Sequence, residues 1–183
     1  MKTLVFLVSF MLVVIWTPWV AISVVYASFL EWILHKYVMH RNLKWYSYPF
    51  KAHALTHHQT FGSGDSYHLI YDEDRHTIPM AWWNGFVLTG IASIPVAIFG
   101  YFINNPSLWI ITSITVYLYY LTYEYMHWCM HLPKKRFFEK MKWYENLKER
   151  HRLHHKHMNS RNFNVVVPIA DLVFGTYQAP GSE

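Results

Sequence analysis

The stretch from His35 to His58 reads HKYVMHRNLKWYSYPFKAHALTHH, five imidazoles spaced H-x4-H and then H-x3-H-H. Two more groups follow, His127 with His131 and His151 with His154 and His155, so that four groups hold ten of the thirteen histidines. Neutral imidazole is a ligand for Fe, Zn, Cu or Ni, and ligand type alone does not name the element. Residues three or four apart share one face of a helix. The sets 53/57, 127/131 and 151/154/155 can therefore each aim two imidazoles into one space. His35 and His40 are five apart, about 140° on an ideal helix. Either the helix ends or bulges there, or the two serve different metals. Ten ligands exceed what one ion accepts, and two metals are the economical reading. The single cysteine, Cys129, excludes thiolate cages and intramolecular disulfides.

Glu31 lies four residues before His35, and Glu124 three before His127. A carboxylate at such spacing is either a metal ligand, as in the Glu-x-x-His motif of carboxylate di-iron bundles, or the acceptor of a ligating histidine's second N–H. The second role is the one favoured here. His68, His76 and His157 fall outside the four groups and are left out of the ligand set, His157 as part of a basic face.

The elements that must carry these groups are apolar. Apolar residues make up 53% and charged residues only 15% of 183, a balance that points to a membrane. From Thr3 to Leu34 the only charge is Glu31. This run resembles a signal peptide but has no small-residue cleavage site, and is read as retained. Thr17-Pro18 is a helix start signal, giving a short first piece, Thr3 to Trp16, and a second helix from Pro18 to about Arg41, or one kinked helix through both. Residues 42 to 78 are polar and aromatic, a loop or interfacial helices. Met80 to Ile103 and Leu108 to Tyr123, separated by Asn104-Asn105-Pro106, form a transmembrane hairpin. Residues 134 to 161 hold ten Lys and Arg against three Glu, a net +7, which assigns them to the cytoplasm. The hairpin returns the chain to the same side, so all the histidine groups lie near one membrane face. The chain is expected to be a single domain, 1–183, an all-α polytopic membrane bundle with a histidine-rich dimetal site on its cytoplasmic side.

The order H-x4-H, H-x3-H-H, H-x3-H, H-x2-H-H resembles the fatty acid hydroxylase superfamily: fatty acid and sphingolipid hydroxylases, sterol desaturases and carotenoid hydroxylases. EWILHKYVMH looks like its first box and ERHRLHH like its last. NFNVVVPIADLVFGTY, residues 162 to 177, is similar to the segment closing the catalytic domain. The likeness runs from about Glu31 to Tyr177. Two departures stand out: three residues, where many relatives have two, precede the second HH, and twelve separate His40 from His53. HKYVMH is also very like the first box of bacterial carotenoid hydroxylases, whereas FGTY and the H-x3-H box argue the other way.

The resemblance implies an integral membrane enzyme that hydroxylates a lipid C–H bond with O2. It carries over two iron ions, which zinc can replace in a structure, and the ligands His35, His40, His53, His57, His58, His127, His131, His151, His154 and His155. No catalytic residue beyond these ligands is expected, and desaturation stays open beside hydroxylation. With no cytochrome b5 motif read among these residues, electrons are expected from a separate donor of ferredoxin or cytochrome b5 type. Lys134, Lys135 and Arg136 are a candidate dock for an acidic donor. The basic segment is read as a topology determinant and headgroup contact and not as a nucleic-acid binder. From other classes, the alternatives are a zinc-dependent membrane hydrolase with Glu124 as base and a metal transporter. Transport needs polar ligands at mid-membrane, and residues 83 to 103 and 108 to 122 hold no histidine.

Overall fold

The computed structural model describes residues 2–133 and 136–182, with side chains from Trp16 onward. Lys134 and Lys135, two of the three residues of the expected donor dock, lie outside the described residues. All regular structure among the described residues is helical. The first element, α1 (Lys2–Leu34), is one continuous helix with Pro18 inside it. The start signal at Thr17-Pro18 is overridden, and of the two readings the single helix is the one observed. An apolar sequence has no better way to satisfy its backbone than to stay helical through a proline.

Contact density divides the chain into two units: the stretch to Ala27 with Trp83–Tyr120, and Ser28–Trp82 with the chain from Leu121 on. In the first, α4 (Asn84–Phe102) and the opening part of α5 (Ser107–His131) form a helical hairpin. Its turn uses Asn104 at φ 53°, a left-handed position that asparagine tolerates, and Asn105 N–H donates to the Gly100 carbonyl at 2.8 Å. Hydroxyls and small residues join the helices. Trp19 Nε1–H donates to Thr112 Oγ1 at 3.0 Å, Tyr26 O–H to the Ala92 carbonyl at 2.8 Å, and Ser93 meets Ser113 at 2.7 Å. Such contacts hold helices together where water cannot compete.

Two stretches among the described residues, Trp16–Met39 and Asn84–Phe102, are helical, long and apolar enough to cross a bilayer. At 1.5 Å per residue, 19 residues reach about 28 Å, close to the hydrocarbon thickness. The described α5 is not a third: its tyrosines, hydroxyls, Glu124 and two histidines dilute the apolar run.

The second unit carries every residue of the four histidine groups. After α1 the helix widens into a π turn, His35–Met39. A second π turn, Lys51–His57, lies between the short helices α2 (Tyr48–Phe50) and α3 (His58–Thr60). The loop that follows has 3-10 turns at Asp65–Tyr67 and Asp72–Thr77. The chain then returns through the end of α5, α6 (Lys142–Lys156) and α7 (Ile169–Val173). Three apolar clusters brace it, around Met130 and Tyr144, around Trp32 and Phe163, and around Phe61 and Leu132. In the basic segment, Arg136 pairs with Glu139 and covers the Trp128 ring at 5.0 Å.

Candidate metal centre

The two π turns decide how the histidines meet. In an α-helix, residues five apart diverge, but a π turn closes i→i+5 hydrogen bonds and stacks them. His40 N–H accordingly donates to the His35 carbonyl at 3.2 Å, and His58 N–H donates to the His53 carbonyl. The bulge foreseen as one way to bring His35 and His40 together is the one present. It is repeated for His53 and His58, where the spacing alone pointed to 53 with 57.

The ten side chains converge as two sets of five. His35, His40, His53, His58 and His154 form the first; His57, His127, His131, His151 and His155 form the second. In each set the ligand nitrogens lie within 4.8 Å of one another. One sequence pairing is corrected here: His53 and His57 go to different sets because the π turn rotates them apart. Of the last group, His151 and His155 share the second set, two imidazoles in one space as the spacing allows, and His154 joins the first.

The rings are held from behind. His35 Nδ1–H donates to the Phe163 carbonyl at 2.5 Å, His131 to Tyr67 at 2.8 Å, His154 to Arg161 at 2.8 Å, His155 to Phe61 at 2.5 Å and His57 to Thr77 at 3.3 Å. A carbonyl only accepts, so in each neutral ring the proton sits on Nδ1 and Nε2 presents a bare lone pair.

Those lone pairs point at other ring nitrogens. In the first set Nε2 of His53 is 2.8 Å from that of His35 and 3.1 Å from that of His58. His154 Nε2 is 3.1 Å from His40 and 3.2 Å from His58. In the second set His151 Nε2 is 3.1 Å from His131 and 3.0 Å from His155, and His57 is 3.1 Å from His127. A proton on His151 Nε2 can serve only one of its two neighbours, and His154 has none to give. At least one contact of the second set, His151 with His131 or with His155, would stay lone pair to lone pair, an arrangement that is unfavourable when buried. Nδ1 of His40, His58 and His151 is buried with no hydrogen-bond partner.

A cation at the centre of each set removes the conflict. For ion–nitrogen bonds of ~2.1 Å, neighbouring donors at right angles are about 3.0 Å apart, the spacing found. Burial, and secondarily the neighbouring imidazoles, push His53, His57, His58, His151, His154 and His155 well below the usual histidine range. The rings are thus held in the neutral form that binds metal.

Neither set contains Glu31 or Glu124. Glu124 accepts from Met80 N–H at 3.3 Å. Glu31 accepts from Val165 N–H at 2.7 Å and the Asn164 side chain at 2.9 Å, so it acts on the C-terminal segment that supplies the Phe163 carbonyl. The favoured reading, a carboxylate receiving a ligand's N–H, gives way for the five rings above to backbone carbonyls. His68, His76 and His157 stand outside both sets.

Sequence reasoning passed over Asp171. Fully buried, it accepts from Phe163 N–H at 3.0 Å, Asn164 N–H at 2.8 Å and the Thr176 hydroxyl at 2.6 Å. Burial raises its carboxyl, while these bonds and Arg150 oppose the rise. Asn162, at φ 52°, bonds Gln178 in both directions, at 3.1 and 2.8 Å. The only signal was the NFNVVVPIAD stretch itself, whose polar residues interrupt an apolar run.

An all-helical chain with two sets of five converging imidazoles defines a histidine-rich protein whose clusters can hold metal. A family model described as fatty acid hydroxylase matches residues 19–176, most of the chain and all ten histidines. The chain belongs to the fatty acid hydroxylase family. It is by that membership an oxidoreductase of the hydroxylase and desaturase type, and with its two apolar helices a membrane protein. No curated protein and no solved structure matches it.

Proposed function

We propose that this protein is a multi-pass integral membrane enzyme that hydroxylates a C–H bond of a lipid with O2, through two iron ions held by the ten histidines. The observation that carries the reading is the pair of five-nitrogen sets with mutually facing lone pairs. His35, His40, His53, His58 and His154 would hold one ion, and His57, His127, His131, His151 and His155 the other. Five nitrogens around one centre exceed the four of a structural zinc site and suit an ion that takes five or six ligands. Thiolate is absent from both sets, as hard or borderline iron prefers.

Bound there, the iron pair would supply O2 activation, consuming two external electrons and two protons, placing one oxygen atom in the C–H bond and releasing the other as water. The protein's own part is positional. Backbone carbonyls fix five ring tautomers, burial keeps the rings neutral, and aromatic residues such as Phe61, Tyr67 and Phe163 wall the sets off from water. His35 lies in the last turn of the stretch long enough to span a bilayer, Trp16–Met39. This supports a site at the lipid boundary, on the side read from the basic segment as cytoplasmic. The family match crosses both contact units, which supports one working domain. Electrons would come from a separate ferredoxin or cytochrome b5 type donor.

The test is metal analysis with turnover. Iron-loaded protein given a chemical or enzymatic reductant should consume O2 and convert a lipid extract to products heavier by one oxygen atom, detected by mass spectrometry. Full activity of the zinc form without O2 would overturn the reading.

A further inference from the structure

The peptide unit joining Phe163 to Asn164 is engaged at both ends. Its carbonyl accepts the His35 Nδ1–H at 2.5 Å, and its N–H donates to Asp171 Oδ2 at 2.8 Å. The unit is planar and conjugated, and hydrogen bonds in series polarise one another. An anion at the N–H end makes the carbonyl a stronger acceptor, draws the His35 Nδ1 proton toward it and enriches Nε2 as a donor. Ligating histidines ordinarily receive this help from a carboxylate or carbonyl in direct contact.

We propose that Asp171 is a positioning residue for the first metal set, acting on His35 through the intervening peptide as a carboxylate–peptide–histidine relay. The proposal rests on the reading that the first set holds an ion. A comparison inside the same site isolates the charge. His154 is held by the Arg161 carbonyl, and the N–H of that peptide, Asn162 N, donates to the Thr176 carbonyl at 2.9 Å, a neutral partner. Glu31, the other buried carboxylate nearby, serves Val165 N–H and the Asn164 side chain, not the Phe163–Asn164 peptide. Asp171 alone puts a negative charge behind that peptide's N–H. A loop clasp needs no charge, and an unpaired buried carboxylate is costly. All three of Asp171's bonds above come from donors, which suits the ionised form.

The experiment titrates Zn(II) into full-length apo protein in detergent, for wild type, Asp171→Asn and Glu31→Gln, with circular dichroism as the fold check. Wild type should bind two ions. Asp171→Asn should keep its helix signal and one ion at wild-type affinity, with the other weakened ten- to hundred-fold, the usual effect of losing an outer partner. Glu31→Gln, which loosens the same segment without touching the relay, should leave both affinities within about threefold. Wild-type binding by Asp171→Asn overturns the proposal, as does an equal loss in Glu31→Gln, which would make Asp171 a clasp. If Asp171→Asn does not fold, wild-type protein labelled with 15N-asparagine decides. Zn(II) should move the Asn164 amide proton downfield as the relay tightens, and an unmoved resonance rejects it. A wild type that takes up no ion defeats the metal reading itself, and the relay with it, whereas two bound ions with an indifferent Asp171→Asn defeat the relay alone.

Discussion

A ring whose Nδ1 proton is committed to a carbonyl has one lone pair left, and the protein aims it at another ring. That geometry makes the sets separable by single substitutions. His154→Ala removes a nitrogen from the first set and His151→Ala one from the second. Each variant is expected to lose about one of two bound ions and to lower turnover by at least 100-fold, the upper end of effects reported for a disturbed metal shell. Metal content per chain, measured on purified protein, checks this. His68→Ala, outside both sets, should retain both ions. Equal metal content in His151→Ala, His154→Ala and His68→Ala would dispose of the ligand assignment.

At the scale of elements, the histidine groups and the helices bearing them could be read from spacing and apolar runs, because both are local patterns. The partition into two sets could not. It depends on two π turns, and a π turn is a choice of hydrogen-bond partner one residue further along, which side-chain periodicity does not record. The proline at 18 misled in a similar way: a local start signal yielded to a longer apolar helix. Nor could the carbonyls behind the rings be named: those of Phe61, Tyr67 and Phe163 come from segments far from their rings in sequence, and that of Arg161 from the irregular turn after α6. One glycine ties the hairpin to its sequence. A Cβ on Gly100 would lie 2.8 Å from the Asn105 carbonyl oxygen, a backbone atom that cannot swing aside. Gly100→Ala should destabilise the α4–α5 turn by about 1–3 kcal/mol, seen as a lower midpoint of thermal unfolding, with the metal content of the folded protein unchanged.

For the whole molecule, the second unit is organised around ten buried or half-buried imidazoles that its apolar clusters surround without neutralising their mutual lone-pair contacts. Without cations, the fold must hold those nitrogens together against repulsion. An ion that binds the folded chain and not the unfolded one stabilises it by RT ln(1 + [L]/Kd), about 4 kcal/mol at a thousandfold excess over Kd for each site. Stripping metal with a chelator should therefore lower the thermal midpoint by several degrees. The loss should concentrate in amides of Ser28–Trp82 and of the chain from Leu121 on. The α4 helix, which carries no ring of either set, should keep its protection. Hydrogen exchange with mass spectrometry on holo and stripped protein reads both regions at once. Uniform loosening, or loosening confined to α4, would mean that the imidazoles are not what binds the ion.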